Sequence, residues 1–93
     1  MKKQRSFHPG YHPGRILYEK FLKPTGLSQN ALARELGVPP RRINEIILGK
    51  RGISADTALR LANRFGNSAR FWMALQADFD LHLAQQVARQ ANG

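Results

Sequence analysis

The sequence predicts an all-α fold of five short helices, and three observations carry that expectation. Apolar residues recur three and four apart, as in Leu32, Ala33 and Leu36 or in Ile43, Ile46 and Ile47. Serines stand where helices would begin, at Ser28, Ser54 and Ser68, and glycines where they would end, at Gly37, Gly49 and Gly66. No segment alternates apolar and polar residues between hairpin turns, so no strand is expected.

The elements follow in order. The first dozen residues hold Lys2, Lys3, Arg5 and two copies of His-Pro-Gly, at 8–10 and 12–14. Proline and glycine at that density read as an extended chain, so residues 1–12 form a flexible basic arm. A first helix begins at Pro13 or Gly14 with Ile16, Leu17 and Phe21 on one side, and Pro24 stops it. Ser28 caps the second helix by accepting an orphan backbone N–H, and Gly37 ends it in the left-handed conformation. Pro39 and Pro40 suit the first turn of the third helix, where a missing N–H costs nothing. There Ile43, Ile46 and Ile47 point inward, which leaves Arg41, Arg42, Asn44, Glu45 and Leu48 on the other faces. Lys50, Arg51 and Gly52 then make a basic loop. In the fourth helix Ala58, Leu59, Leu61, Ala62 and Phe65 supply core, and in the fifth Phe71, Leu75 and Phe79 lie four apart beside Trp72. Residues 13–84 are thus one helical domain, and the polar tail at 85–93 is expected to fray.

Composition bounds the function. Ninety-three residues make one small domain, with 15 Lys and Arg against 6 Asp and Glu, a net charge of +9 and a pI near 11.2. Such an excess favours a polyanionic partner. With no cysteine, disulfides and thiolate metal sites are excluded. No apolar run has signal-peptide or membrane-span length, so a soluble, cytoplasmic protein with no membrane partner is expected. His8, His12 and His82 form no cluster with carboxylates, and no phosphate loop or nucleophile motif occurs. Neither catalysis, metal nor cofactor is expected.

The stretch Leu27–Arg51 gives the charge a purpose. Two short helices joined by a glycine turn form a helix-turn-helix, whose second helix enters the major groove of duplex DNA. Arg41 and Arg42 occupy the first turn of that helix. Arginine matches guanine O6 and N7 with two parallel hydrogen bonds, Asn44 can do likewise for adenine, and Glu45 can accept from a cytosine amine. Capping logic would favour acidic residues there, so the paired arginines point to function. Ser28 and Gln29 at the second helix's N-terminus, with Lys50 and Arg51 in the loop, suit phosphate oxygens. Phe71, Trp72, Leu75 and Phe79 are core by spacing, and their surplus is expected to seal a two-fold dimer that reads two half-sites.

The residues from His12 to about Gln85 resemble the HigA-type antitoxins of bacterial toxin–antitoxin modules, within the lambda repressor-like (XRE) helix-turn-helix family. His12-Pro13-Gly14, Gly26-Leu27-Ser28-Gln29, Ile43-Asn44-Glu45-Ile46, the run Gly49 to Ala58, and Phe71-Trp72 with Leu75-Gln76 carry the likeness. A generic helix-turn-helix protein would share only the second and third helices. The resemblance implies a five-helix antitoxin that neutralises a RelE-like, mRNA-cleaving toxin of the HigB type and represses its own operon as a dimer. It also implies DNA contacts from Gln29, Arg41, Arg42, Asn44 and Glu45, with Lys50 or Arg51 beside them. Pro39-Pro40-Arg41-Arg42 departs from the Ser, Thr or Gln often found there, so base preference does not transfer. For the toxin, the arm and the first helix, including Glu19, are the candidate surface. Two other readings remain open at this stage: a stand-alone repressor without a toxin, and a protein-interaction module for an acidic partner.

Overall fold

A computed structural model describes residues 8–92. The basic residues expected in the arm, Lys2, Lys3 and Arg5, lie outside them. Helix α1 (Pro13–Ile16) runs without a break into π-helical turns at Leu17–Leu22, followed by α2 (Gln29–Leu36), α3 (Pro40–Ile47), α4 (Ala55–Phe65) and α5 (Ala69–Asn92). Counting α1 with its continuation, these are the five expected helices, and the described residues contain no strand.

Local chemistry sets the ends. Ser28 Oγ accepts from Ala31 N–H at 3.0 Å, Ser54 Oγ from Thr57 N–H at 3.3 Å and Ser68 Oγ from Phe71 N–H at 3.0 Å. Gly37 and Gly66 leave α2 and α4 in the left-handed region. His12 is also a cap: its Nδ1 accepts from Gly14 N–H at 2.9 Å, with Pro13 following at the first helical position. The preceding His8 makes the same bond to Gly10 at 2.8 Å. The two His-Pro-Gly tripeptides therefore share one local geometry, although only the second opens a helix.

The core joins Leu17 and Leu22 to Leu32, Ala33 and Leu36 of α2, Ile43 and Ile46 of α3, Ala58 and Leu61 of α4, and Trp72 of α5. Trp72 is wholly enclosed, and its indole N–H donates to Asn67 Oδ1 at 2.8 Å, so burial strands no polar atom. Phe21, Phe65 and Phe71 close around it, with the Phe21 and Trp72 ring centroids 5.0 Å apart. Removing such a side chain costs about 3–5 kcal/mol. Leu59 departs from expectation: it is 63% exposed. It stands one residue off the inward row formed by Ala58, Leu61, Ala62 and Phe65, roughly 100° around the helix.

Gly14 is what seats α3. A Cβ at this position would come within 1.8 Å of the Ile46 carbonyl oxygen, so only glycine lets the start of α1 lie against the α3 backbone. The arm residues next to it are packed as well. The His12 ring meets Phe79 at 4.9 Å and His8 meets His82 at 5.7 Å, both edge-on. Residues 8–12 are therefore a turn laid on α5, where the sequence suggested an extended arm.

Helix α5 has 24 residues and so spans about 36 Å. Its first half docks through Phe71, Trp72, Leu75 and Phe79, whereas residues 83–91 are all exposed. The expected fraying from residue 85 does not occur, and the helix continues through Asn92. Ala84, Gln85, Gln86, Ala88, Arg89, Gln90 and Ala91 are mostly strong helix formers, and no Gly or Pro interrupts them.

Candidate nucleic-acid interface

The exposed first turn of α3 is held in place by its neighbours. Arg41 is the more projecting of the arginine pair, with 84% of its side chain exposed, and its Nε donates to Glu45 Oε2 at 3.0 Å one turn on. Arg42 lies flatter and turns toward α4, where its Nη1 donates to Asp56 Oδ2 at 3.3 Å. Asp56 also accepts from Arg60 Nε at 3.0 Å, and Arg60 Nη1 donates to the Leu36 carbonyl at 2.7 Å. That chain of contacts runs from α3 through α4 to the end of α2. Arg64 pairs with Glu35 beside it. Exposed pairs of this kind contribute little stability, about 0–1 kcal/mol each, so their effect is mainly on orientation.

Asn44 faces α2, donating from Nδ2 to Gln29 Oε1 at 3.2 Å. The structure thus brings Gln29 of the positioning helix and Asn44 of the third helix into one hydrogen-bonded pair. Glu45 is engaged twice. Besides Arg41, it accepts from Arg51 Nε at 2.9 Å, with Arg51 Nη2 at an ion-pair distance of 2.8 Å. These hydrogen bonds from Arg41 and Arg51 hold its carboxyl below the usual carboxylate range.

The expected phosphate-facing residues separate into two places. Ser28 and Gln29 line an open groove of about 380 Å³ together with Tyr18, Leu22 and Lys23 of the preceding helix. The Ser28 hydroxyl serves the cap by accepting from Ala31 N–H. Lys50 is exposed and makes no ion pair among the described residues, whereas Arg51 is folded back onto Glu45. The loop that carries them is tied to α5, because Gln76 Oε1 accepts from Ile53 N–H at 2.7 Å. A side chain at Gly52 would come within 3.0 Å of that Gln76 amide.

Of the dimer stripe expected from sequence, Trp72 is corrected: it has no exposed surface and belongs to the monomer's core. Phe71, Leu75 and Phe79 are half-buried against their own chain. Helical spacing cannot distinguish the inward face of a helix from a face that meets another copy. The opposite face of α5 went unnoticed. Met73, Ala77, Leu81, Ala84, Val87 and Ala91 follow at steps of three or four residues, and all are exposed. Leu81 is 60% and Val87 64% exposed. That near-heptad rhythm, the signature of a helix–helix seam, was the available signal. Asp56, Arg60 and Gly14 were also missed. The two charged residues act through contacts distant in sequence, but Gly14 lay in a His-Pro-Gly motif already visible.

Among the described residues no helix is long and apolar enough to cross a membrane, and no cluster of His, Asp and Glu could hold a metal ion.

The chain matches the HTH_3 helix-turn-helix family over residues 19–72. It is 52% identical to virulence-associated protein I of Dichelobacter nodosus over 84 residues, 90% of this chain and 78% of that protein. Among solved structures it is similar to the Pseudomonas aeruginosa antitoxin HigA with the higBA promoter, at 43% identity and a TM-score of 0.85, covering 88% of this chain and 89% of that one. It is also similar to the antitoxin GraA in complex with its operator, at 44% identity and a TM-score of 0.79, covering 91% and 85%.

Proposed function

We propose that this chain, which belongs to the HTH_3 helix-turn-helix family and within it to the HigA-type antitoxins, represses its own operon by binding operator DNA as a homodimer and neutralises a cognate toxin. It is a DNA-binding regulator rather than an enzyme, and it acts in the cytoplasm. The toxin is of the RelE-like, mRNA-cleaving HigB type, as the family implies. The observation that carries this reading is the extent of the likeness to antitoxins bound to their operators. It runs beyond the helix-turn-helix into α5, which a generic DNA reader need not share.

In this reading Arg41, Arg42 and Asn44 approach base edges in the major groove, while Gln29 and Lys50 hold phosphates. Two copies meet along the outer face of α5, through Met73, Ala77, Leu81, Ala84 and Val87. That pairing sets two α3 helices about 34 Å apart, one turn of DNA. Residues 1–12 with α1 and its continuation Leu17–Leu22, including Glu19, are the proposed toxin-facing side.

Footprinting on the DNA upstream of its own coding region should reveal an inverted repeat protected by a dimer. Arg41→Ala and Arg42→Ala should each weaken binding by about 1–3 kcal/mol and relax the preference at one base pair per half-site. Unchanged affinity and unchanged preference in both variants would remove these arginines from the reading surface. Co-expression with the neighbouring small open reading frame should restore growth. No rescue, with repression intact, would leave a repressor that stands without a toxin.

A further inference from the structure

Glu45 occupies an unusual position for a residue that the sequence nominates as a base reader. Its Oε2 accepts from Arg41 Nε at 3.0 Å and its Oε1 from Arg51 Nε at 2.9 Å, with Arg51 Nη2 2.8 Å away in the same ion pair. Its backbone carbonyl accepts from Lys50 N–H at 2.8 Å and Arg51 N–H at 3.2 Å, which curls the basic loop back over the end of α3. Only 22% of the side chain is exposed, against 84% for Arg41. Each oxygen of the carboxylate already accepts from a guanidinium N–H, one from Arg41 and one from Arg51. To accept from a cytosine amine, Glu45 would exchange these charge-assisted bonds for a weaker one to a neutral donor.

Arg41 commits only Nε to this contact, so its two terminal amino groups remain as the fork that guanine O6 and N7 require. Arg51 turns its Nε and Nη2 edge to the same carboxylate. We propose that Glu45 is a positioning residue: it aims Arg41, anchors Arg51, and withholds the charge of both from indiscriminate phosphate contact. The inference rests on the operator-binding reading and deepens it, because it makes a carboxylate in the recognition helix a source of discrimination without a base contact of its own. Its ionised state at neutral pH agrees, since the two arginines depress its titration.

The test compares the full-length protein with Glu45→Gln, in the wild-type background and in the Arg41→Ala/Arg51→Ala background. Fluorescence anisotropy would follow binding to the footprinted operator and to a scrambled duplex of equal length, from low to moderate salt. With Glu45→Gln, scrambled-duplex affinity should rise several-fold, and its salt slope should steepen by about one phosphate's worth, roughly 0.9. The operator-to-scrambled ratio should fall by about tenfold, within the range one bidentate arginine–guanine pair supplies. In the double-arginine background the substitution should leave the ratio unchanged. Loss of operator affinity alone, equal in both backgrounds and with the scrambled duplex unaffected, would overturn the proposal in favour of direct base reading. A wild type with no preference for operator would refute the operator reading instead. The clamp is then judged without DNA, by NMR titration of the Glu45 carboxyl: a rise in Arg51→Ala supports it, and no change overturns it.

Discussion

The first turn of α3 and the second half of α5 are both open to solvent, yet they prepare for their partners in opposite ways. On α3 the polar side chains are already committed: Arg41 and Arg51 to Glu45, Arg42 to Asp56, Asn44 to Gln29. On α5 beyond His82 no residue up to Ala91 is buried, and the exposed residues include Leu83 and Val87. A polar face that must recognise a pattern gains from being ordered beforehand, because less side-chain entropy is lost on binding. An apolar face has no such internal partner, since its favourable contacts arise only when a second surface removes it from water. The α3 surface is therefore ordered within one copy, whereas the distal half of α5 has no packing partner among the described residues. A helical stretch of this length is marginal in water by itself, so the dimer would also stabilise the helix it uses.

The largest expected effect breaks the seat of α3 without touching α5. Gly14→Ala places a methyl against the Ile46 carbonyl, and urea denaturation should show a loss of about 3 kcal/mol or more. Gly10→Ala meets only the ends of the His8 and His82 side chains and should cost less than about 1 kcal/mol. Equal losses would mean that the two His-Pro-Gly turns carry the same load, and that α1 does not seat α3. Next comes a change confined to α5. Leu81→Arg puts a charge into the proposed seam and should raise the dimer dissociation constant about 30-fold, or about 2 kcal/mol, by sedimentation. Unfolding of the isolated monomer should be unaffected, because Leu81 is exposed there. A dimer that withstands this substitution must pair through another surface.

The smallest effect concerns the hinge between the two regions, where His12 caps α1 and rests on Phe79 of α5. Partial burial pushes its imidazole below the usual value near 6.5, opposed by the Asp80 charge. The unfolded chain then takes up a proton at a pH where the folded chain resists it. The stability contributed by the neutral ring is full above about 6.5 and declines as pH falls below that value through the folded-state titration. Thermal melts should show this decline in the wild type and a flatter dependence in His12→Asn, which retains a capping side chain. An identical slope in both would assign the pH dependence to other groups.

Much of the helical scaffold was legible because its punctuation is local. Ser28, Ser54 and Ser68 bond to N–H groups three residues away, and Gly37 and Gly66 release their helices in a conformation that depends on that residue alone. Leu59 and the wholly buried Trp72, which the sequence also offered to a dimer seam, differ from expectation for a shared reason. Spacing reports that residues lie on one side of a helix, but not what that side meets. The tail's polarity suggests fraying, but its alanines and glutamines favour the helix even without packing, and α5 runs through Asn92.

The sequence by itself determined five helices, their order, the turn between α2 and α3, and the arginine pair at the start of the third helix. These follow from hydrogen bonds and steric limits within a few residues. Only the tertiary structure decided that Arg42 turns to Asp56, that Asn44 meets Gln29, that Glu45 is enclosed by two arginines, and which face of α5 stays exposed. Most of those partners lie in different helices or loops, and Arg42 and Asp56 are 14 residues apart. Their encounter depends on how the helices pack, which local propensity does not encode.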